Sequence, residues 1–130
     1  MIALALVACN KEGTYKKALD GSWEVYKYIF RNADRTAQFQ SDFPGYRISF
    51  NNSDGFTEIY NASPDSIRSS GTYIFSSNLD KVILTSTAYK LVDTVLVPYE
   101  VKRTYTIFNL TSSHVQFRND STELYLRKTE

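Results

Sequence analysis

From residue 22 onward the sequence alternates apolar and polar residues one by one, run after run, and each run ends in a cluster of turn formers. A period of two places successive side chains on opposite faces of an extended chain, so each run can bury one face and wet the other. The runs lie at 22–30, 46–50, 56–60, 72–75, 81–88, 95–108, 114–118 and 123–128, and the breaks between them read NNSDG, NASPDSIRSSG, SSNLD, KLVDT, NLTSS and RNDST. Short breaks of this kind join antiparallel neighbours as hairpins, whereas parallel neighbours need long crossovers for which there is no room. Ten Tyr and eight Phe against five Gly and three Pro favour strands throughout. The prediction is an all-β, single-domain fold: an eight-stranded antiparallel up-and-down barrel, preceded by a short helical turn over 14–20 that Gly21 stops. Closure removes both sheet edges, while a sandwich would need several long connections and only 31–45 is long.

The alternation also names an inward face. It takes in Tyr46, Ile48 and Phe50, then Tyr73 and Phe75, Val82 and Leu84, Val101, Arg103, Tyr105 and Ile107, Val115 and Phe117, and Leu124 and Leu126. Most of these are expected simply to be core. Two charges fall on the same face. Glu58 lies between Phe56 and Tyr60, and Arg103 lies between Val101 and Tyr105. An unpaired buried charge is costly, so the two either pair with each other, orient a ligand headgroup, or reach water through a bulge that flips the parity. If the barrel holds a ligand, the expected contacts are Tyr46, Ile48, Phe50, Phe56, Tyr73, Phe75, Arg103 and Tyr105, aromatic walls with one or two polar groups.

Other chemistries find little support. Net charge is +1 with both signs interspersed, so no field is expected to draw nucleic acid. One cysteine permits neither an internal disulfide nor a Cys-based zinc site, and the one histidine, His114, begins a strand without oriented partners. No phosphate loop and no usefully spaced carboxylate pair occurs. The expectation is no catalytic residue, no metal and no cofactor: a protein that is not an enzyme.

The cysteine has its own explanation. Residues 1–8 are uncharged and too short to span a bilayer, which takes roughly 20 apolar residues. The sequence Leu6-Val7-Ala8-Cys9 resembles a bacterial lipobox. That resemblance implies cleavage before Cys9 and lipidation of its thiol and new amino group. On this reading 1–8 is residual signal peptide, 9–17 a lipidated tether and 18–130 the barrel domain. Two or more acyl chains then hold the protein durably on a bacterial envelope membrane. Asn10-Lys11-Glu12 loosely resembles the signal that follows the cysteine in surface-exposed lipoproteins of Bacteroidetes.

Gly21-Ser22-Trp23 opens the first run after a helical turn and before a long loop, and in this the chain resembles the lipocalins. It is more similar to the small lipocalin-like lipoproteins of Bacteroidetes. The resemblance implies that Trp23 plugs one barrel end under Arg127 of the last strand, by a cation–π contact, and that 31–45 forms a flap over the open mouth. The chain is shorter than classical lipocalins and lacks both a T-D-Y triplet near its middle and a helix after the last strand. Asp65-Ser66-Ile67, Asp93-Thr94-Val95 and Asp120-Ser121-Thr122 match the O-glycosylation signal of exported Bacteroidetes proteins, and equally suit turns. Two functions follow. One is a lipid-anchored barrel binding a small apolar or amphipathic molecule. The other is a non-catalytic interaction protein, its barrel filled by its own aromatics, meeting an envelope protein partner through its loops.

Overall fold

The computed structural model describes residues 12–51, 53–62 and 65–129, without the side chains of 62–67. The signal-like segment and Cys9 lie outside the described residues. Helix α1 (12–19) leads into strand β1 (Gly21–Phe30) through Gly21, whose φ of +122° few other residues could adopt. Then follow β2 (Ala33–Asp34), helix α2 (Thr36–Asp42), β3 (Arg47–Phe50), β4 (Gly55–Ala62), β5 (Asp65–Phe75), β6 (Lys81–Val92), β7 (Val95–Phe108), β8 (His114–Arg118) and β9 (Thr122–Lys128).

Each strand from β3 to β9 pairs antiparallel with the next, β1 pairs with β3, and β1 also pairs with β9. That last pairing closes an eight-stranded antiparallel up-and-down barrel, with β2 a short ribbon on the end of β1. The core comes from the face the alternation marks: Trp23, Ile48, Phe50, Phe56, Tyr73, Val82, Leu84, Val115, Phe117 and Leu126 are all buried. Leu19 of α1 joins them.

Three features depart from the sequence reading. First, the break placed at 61–71 is mostly strand. β4 and β5 run on as a hairpin to Ala62↔Asp65, and the polar SSG sequence lies inside β5. Gly71 is there because β6 crosses at close range: a Cβ on it would sit 1.9 Å from the Thr85 carbonyl oxygen. Second, β6 continues past residue 88 to Val92 and turns through Asp93 and Thr94, both at positive φ. β5 pairs with β6 over Gly71–Phe75, and β7 with β8 over Thr106–Phe108, so the β6–β7 hairpin stands out beyond its neighbours as an arm. Third, β1 carries a bulge between Val25 and Lys27. Unbroken alternation from Trp23 and Val25 would turn Lys27 inward. The extra residue at Tyr26 turns Tyr28 inward instead, opposite Leu124.

Candidate ligand-binding site

The barrel has one plugged end and one open end. At the plugged end Trp23 is fully buried and its indole Nε1 donates to the Leu19 carbonyl at 2.7 Å. The cation over its ring is Lys128, with Nζ at 4.9 Å, and the same ammonium donates to the Ala18 carbonyl at 2.8 Å. A cation thus sits at the C-terminal carbonyls of α1, where the helix leaves acceptors free. Arg127 lies elsewhere. It points outward, ion-paired to Glu24 at 2.6 Å and stacked 5.5 Å over Tyr26. The reason is parity: Leu126 faces in, so Arg127 must face out and Lys128 back in. Lys16 clasps Asp54 at 2.7 Å, and Tyr15 meets Phe75 edge-on, binding α1 to the β3–β4 turn and to β5.

At the open end, 31–45 folds back across the mouth as the flap that the resemblance implied. A turn through Arg31 and Asn32, both at positive φ, starts it. Asp34 then accepts from both the backbone N–H and the hydroxyl of Thr36 at the start of α2. Helix α2 has no buried residue of its own and holds to the barrel by rings. Phe39 lies 4.9 Å from Tyr28 and 5.3 Å from Tyr46, and Phe43 lies 5.0 Å from Tyr60.

Beneath α2 is a half-open cavity of about 310 Å³. Its walls are Tyr28, Phe39, Phe43, Tyr46, Tyr60, Tyr105 and Leu124, with Ser69 and Thr122 at the edge and Glu58 and Arg103 as the polar part. A shallower hollow of about 380 Å³ lies on the other side of Phe39, against Arg35, Gln38 and Asp42.

The polar part is a closed set. Arg103 meets Glu58 end-on, through Nη1 at 3.0 Å and Nη2 at 2.5 Å, and the Tyr46 hydroxyl donates to the same carboxylate. The ring of Phe56 lies 5.8 Å from the guanidinium. Burial by itself would lower the Arg103 pKa, but the hydrogen bonds and charge of Glu58 outweigh it and hold the group above its ordinary value, so it is always charged. Burial, reinforced by the neighbouring carboxylate, raises the Tyr46 hydroxyl well above the usual tyrosine range, and burial raises Tyr105 as well. The two charges cancel. The polar part of the wall therefore carries no net charge, and the Tyr105 hydroxyl lies within hydrogen-bonding reach of the same guanidinium.

Of the eight ligand contacts expected from the sequence, Tyr46, Arg103 and Tyr105 line this cavity. Ile48, Phe50, Phe56 and Tyr73 lie below it in the packed lower barrel, each 3% exposed or less, and Phe75 packs against that core beside Tyr15. The alternation marked the right face but could not say how deep the side chains fill it. The sequence reading missed Tyr28, Phe39, Phe43 and Tyr60. Tyr28 was concealed by the bulge, and Phe39 and Phe43 lie on a loop helix with no strand period. Tyr60 was already on the inward face with Glu58. His114 is exposed, beside the Ser113 hydroxyl and the edge of Tyr26. Among the described residues no cluster of His, Cys, Asp and Glu could hold a metal ion, and no helix is long and apolar enough to cross a membrane.

The fold has counterparts among solved structures. A lipocalin-like protein from Bacteroides uniformis superposes with a TM-score of 0.60 at 15% identity, over 85% of this chain and 98% of that one. An uncharacterized protein from Bacteroides eggerthii gives 0.58 at 14% identity, over the same shares. No protein-family model and no curated relative matches the chain. The barrel is therefore lipocalin-like in fold.

Proposed function

We propose that this protein is a lipid-anchored envelope lipoprotein whose barrel carries one small, uncharged apolar or amphipathic molecule in the mouth cavity. The observation that carries the reading is the cavity itself, ringed by aromatic side chains and floored by the Arg103–Glu58–Tyr46 set. Such a floor favours a guest with an apolar body and a neutral acceptor such as a carbonyl or ester, since an added carboxylate would face Glu58 as well as Arg103. The role proposed is binding, with the Glu58 carboxylate accepting from the Arg103 guanidinium and the Tyr46 hydroxyl. The anchor rests on Cys9 at the lipobox-like junction. Changing Cys9→Ser should release the chain from the membrane fraction or leave it unprocessed.

The test of the carrier is a titration of fatty acids and their methyl esters, with mass spectrometry of what co-purifies from native membranes. Esters are expected to bind at least as tightly as acids. A strong preference for acids would mean that Arg103 acts as an anion site. The packed lower barrel also suits the other reading, an interaction protein with a self-filled core. Failure of every ester and acid to bind would leave that reading standing alone.

A further inference from the structure

The β6–β7 arm carries the wall of the mouth cavity on beyond its neighbours. The two strands pair residue for residue from Lys81↔Thr106 to Val92↔Val95, and Asp93 and Thr94, both at positive φ, close the ribbon in a two-residue turn. With no register shift, the parity set inside the barrel holds as far as the tip. Arg103 and Tyr105 line the cavity, so Val101, Tyr99, Val97 and Val95 point to the same side. Burial agrees: Val97 and Val101 are half-buried, while Leu96, Pro98, Glu100 and Lys102 between them are exposed.

That inner face is a groove. Ser86 stands opposite Val101 and Ala88 opposite Tyr99, small against large, so the β6 side is low and the β7 side tall. Lys90 stands opposite Val97 with its ammonium 5.7 Å over the Tyr99 ring, which puts a cation at the groove's outer end. At its inner end is Arg103, already a wall of the cavity. The cavity's own volume, about 310 Å³, is near the bottom of the range for small-molecule sites, about 300–1,000 Å³. A guest with its polar end on the Arg103–Glu58–Tyr46 floor and a long chain must therefore lead that chain out along a wall, and the arm is the wall that continues. From Arg103 to Val97 is six residues, about 20 Å at about 3.4 Å each. An extended hydrocarbon built from C–C bonds of about 1.5 Å advances about 1.3 Å per carbon, so this span takes about 16 carbons.

We propose that the inner face of the β6–β7 arm, from Val101 and Ser86 out to Val97 and Lys90, is a second subsite that holds the hydrocarbon tail of the guest, so that the ligand class is a single-chain, long-chain amphiphile. This rests on the carrier reading above. The cavity recognises the neutral polar end and the arm measures the chain, with the Lys90 ammonium as the stop.

The test uses the full chain bearing Cys9→Ser and the methyl esters of the 8-, 12-, 16- and 20-carbon fatty acids, titrated in buffer. A groove open on one side gives about half the gain of full burial, about twofold per methylene, so affinity should rise at least about a hundredfold from the 8- to the 16-carbon ester and then level off. Ala88→Glu/Val97→Glu should weaken the 16-carbon ester at least about tenfold and leave the 8-carbon ester unchanged. Ala88→Phe, which fills the low side of the groove, should do the same without adding charge. Leu91→Glu, on the arm's outer face, should change neither. With the 16-carbon ester, and not with the 8-carbon one, the amide signals of Ala88 and Val97 should shift in NMR spectra. A chain-length gain that survives both groove variants overturns the proposal. So does an equal loss for short and long esters, or a dimer that the double variant dissolves, since a second copy would then fill the groove. In those cases binding of the short ester keeps the carrier reading standing. If esters of no length bind, the carrier reading fails and the tail subsite fails with it.

Discussion

Replacing Arg103 by methionine removes a cation and keeps most of the side-chain bulk. It leaves the Glu58 carboxylate, whose side chain is only 14% exposed, with Tyr46 as its remaining side-chain partner among aromatic rings. Breaking a fully buried ion pair costs about 3–5 kcal/mol, because the surviving charge is stranded. Here Arg103 is 32% exposed, so water recovers part of that loss, and about 2–4 kcal/mol is expected for Arg103→Met at pH 7. With a slope of about 2 kcal/mol per molar urea, the unfolding midpoint should fall by about 1–2 M. Trp23 is the chain's one tryptophan and is fully buried at the plugged end, so its fluorescence reports the global transition. Replacing both members, Arg103→Met with Glu58→Met, strands no charge and should return the midpoint to within about 1 kcal/mol of wild type. A single variant as stable as wild type would refute the reasoning. A double variant as unstable as the single one would do the same.

Trp23→Ala should cost about 3–5 kcal/mol, most of what a domain of this size possesses, whereas Arg127→Ala, a surface ion pair, should cost under about 1 kcal/mol; circular dichroism melts separate them. Gly71→Ala forces a methyl into the Thr85 carbonyl and should cost about 3 kcal/mol or more, with altered amide shifts across β5 and β6 in NMR spectra. Tyr46 and Tyr105 are held protonated by burial, their folded pKa values raised above the ordinary 10.0. Their contribution is therefore complete below about pH 10 and lost as the pH rises through the raised values, so urea midpoints should stay level to that point and then drop. Tyr46→Phe should lower stability at neutral pH by about 1–3 kcal/mol, through the hydrogen bond lost to Glu58, and soften the alkaline drop.

Period-two alternation decided the local outcome before any tertiary contact. It specified the strands, their antiparallel order, the buried face from Ile48 to Leu126, and the inward direction of both Glu58 and Arg103. Properly applied it also sets Arg127 outward, since Leu126 faces in. Such properties depend only on neighbours in the chain, because the pleat converts spacing directly into direction. Closure of β1 on β9, the bulge at Tyr26 and the span over which β6 and β7 stay paired beyond their neighbours are different. Each is settled by register between residues far apart in sequence, and a one-residue insertion reverses which side chain enters the barrel. For that reason Tyr28 joined the cavity and Lys27 did not. The depth of filling was also non-local: rings from five strands meet below the mouth, so Phe50, Phe56 and Tyr73 became core while Tyr46 and Tyr105 remained to line a cavity. Alternation could place two opposite charges inside. Only the barrel could bring Glu58 and Arg103, 45 residues apart, into one end-on pair and so decide that the floor is neutral.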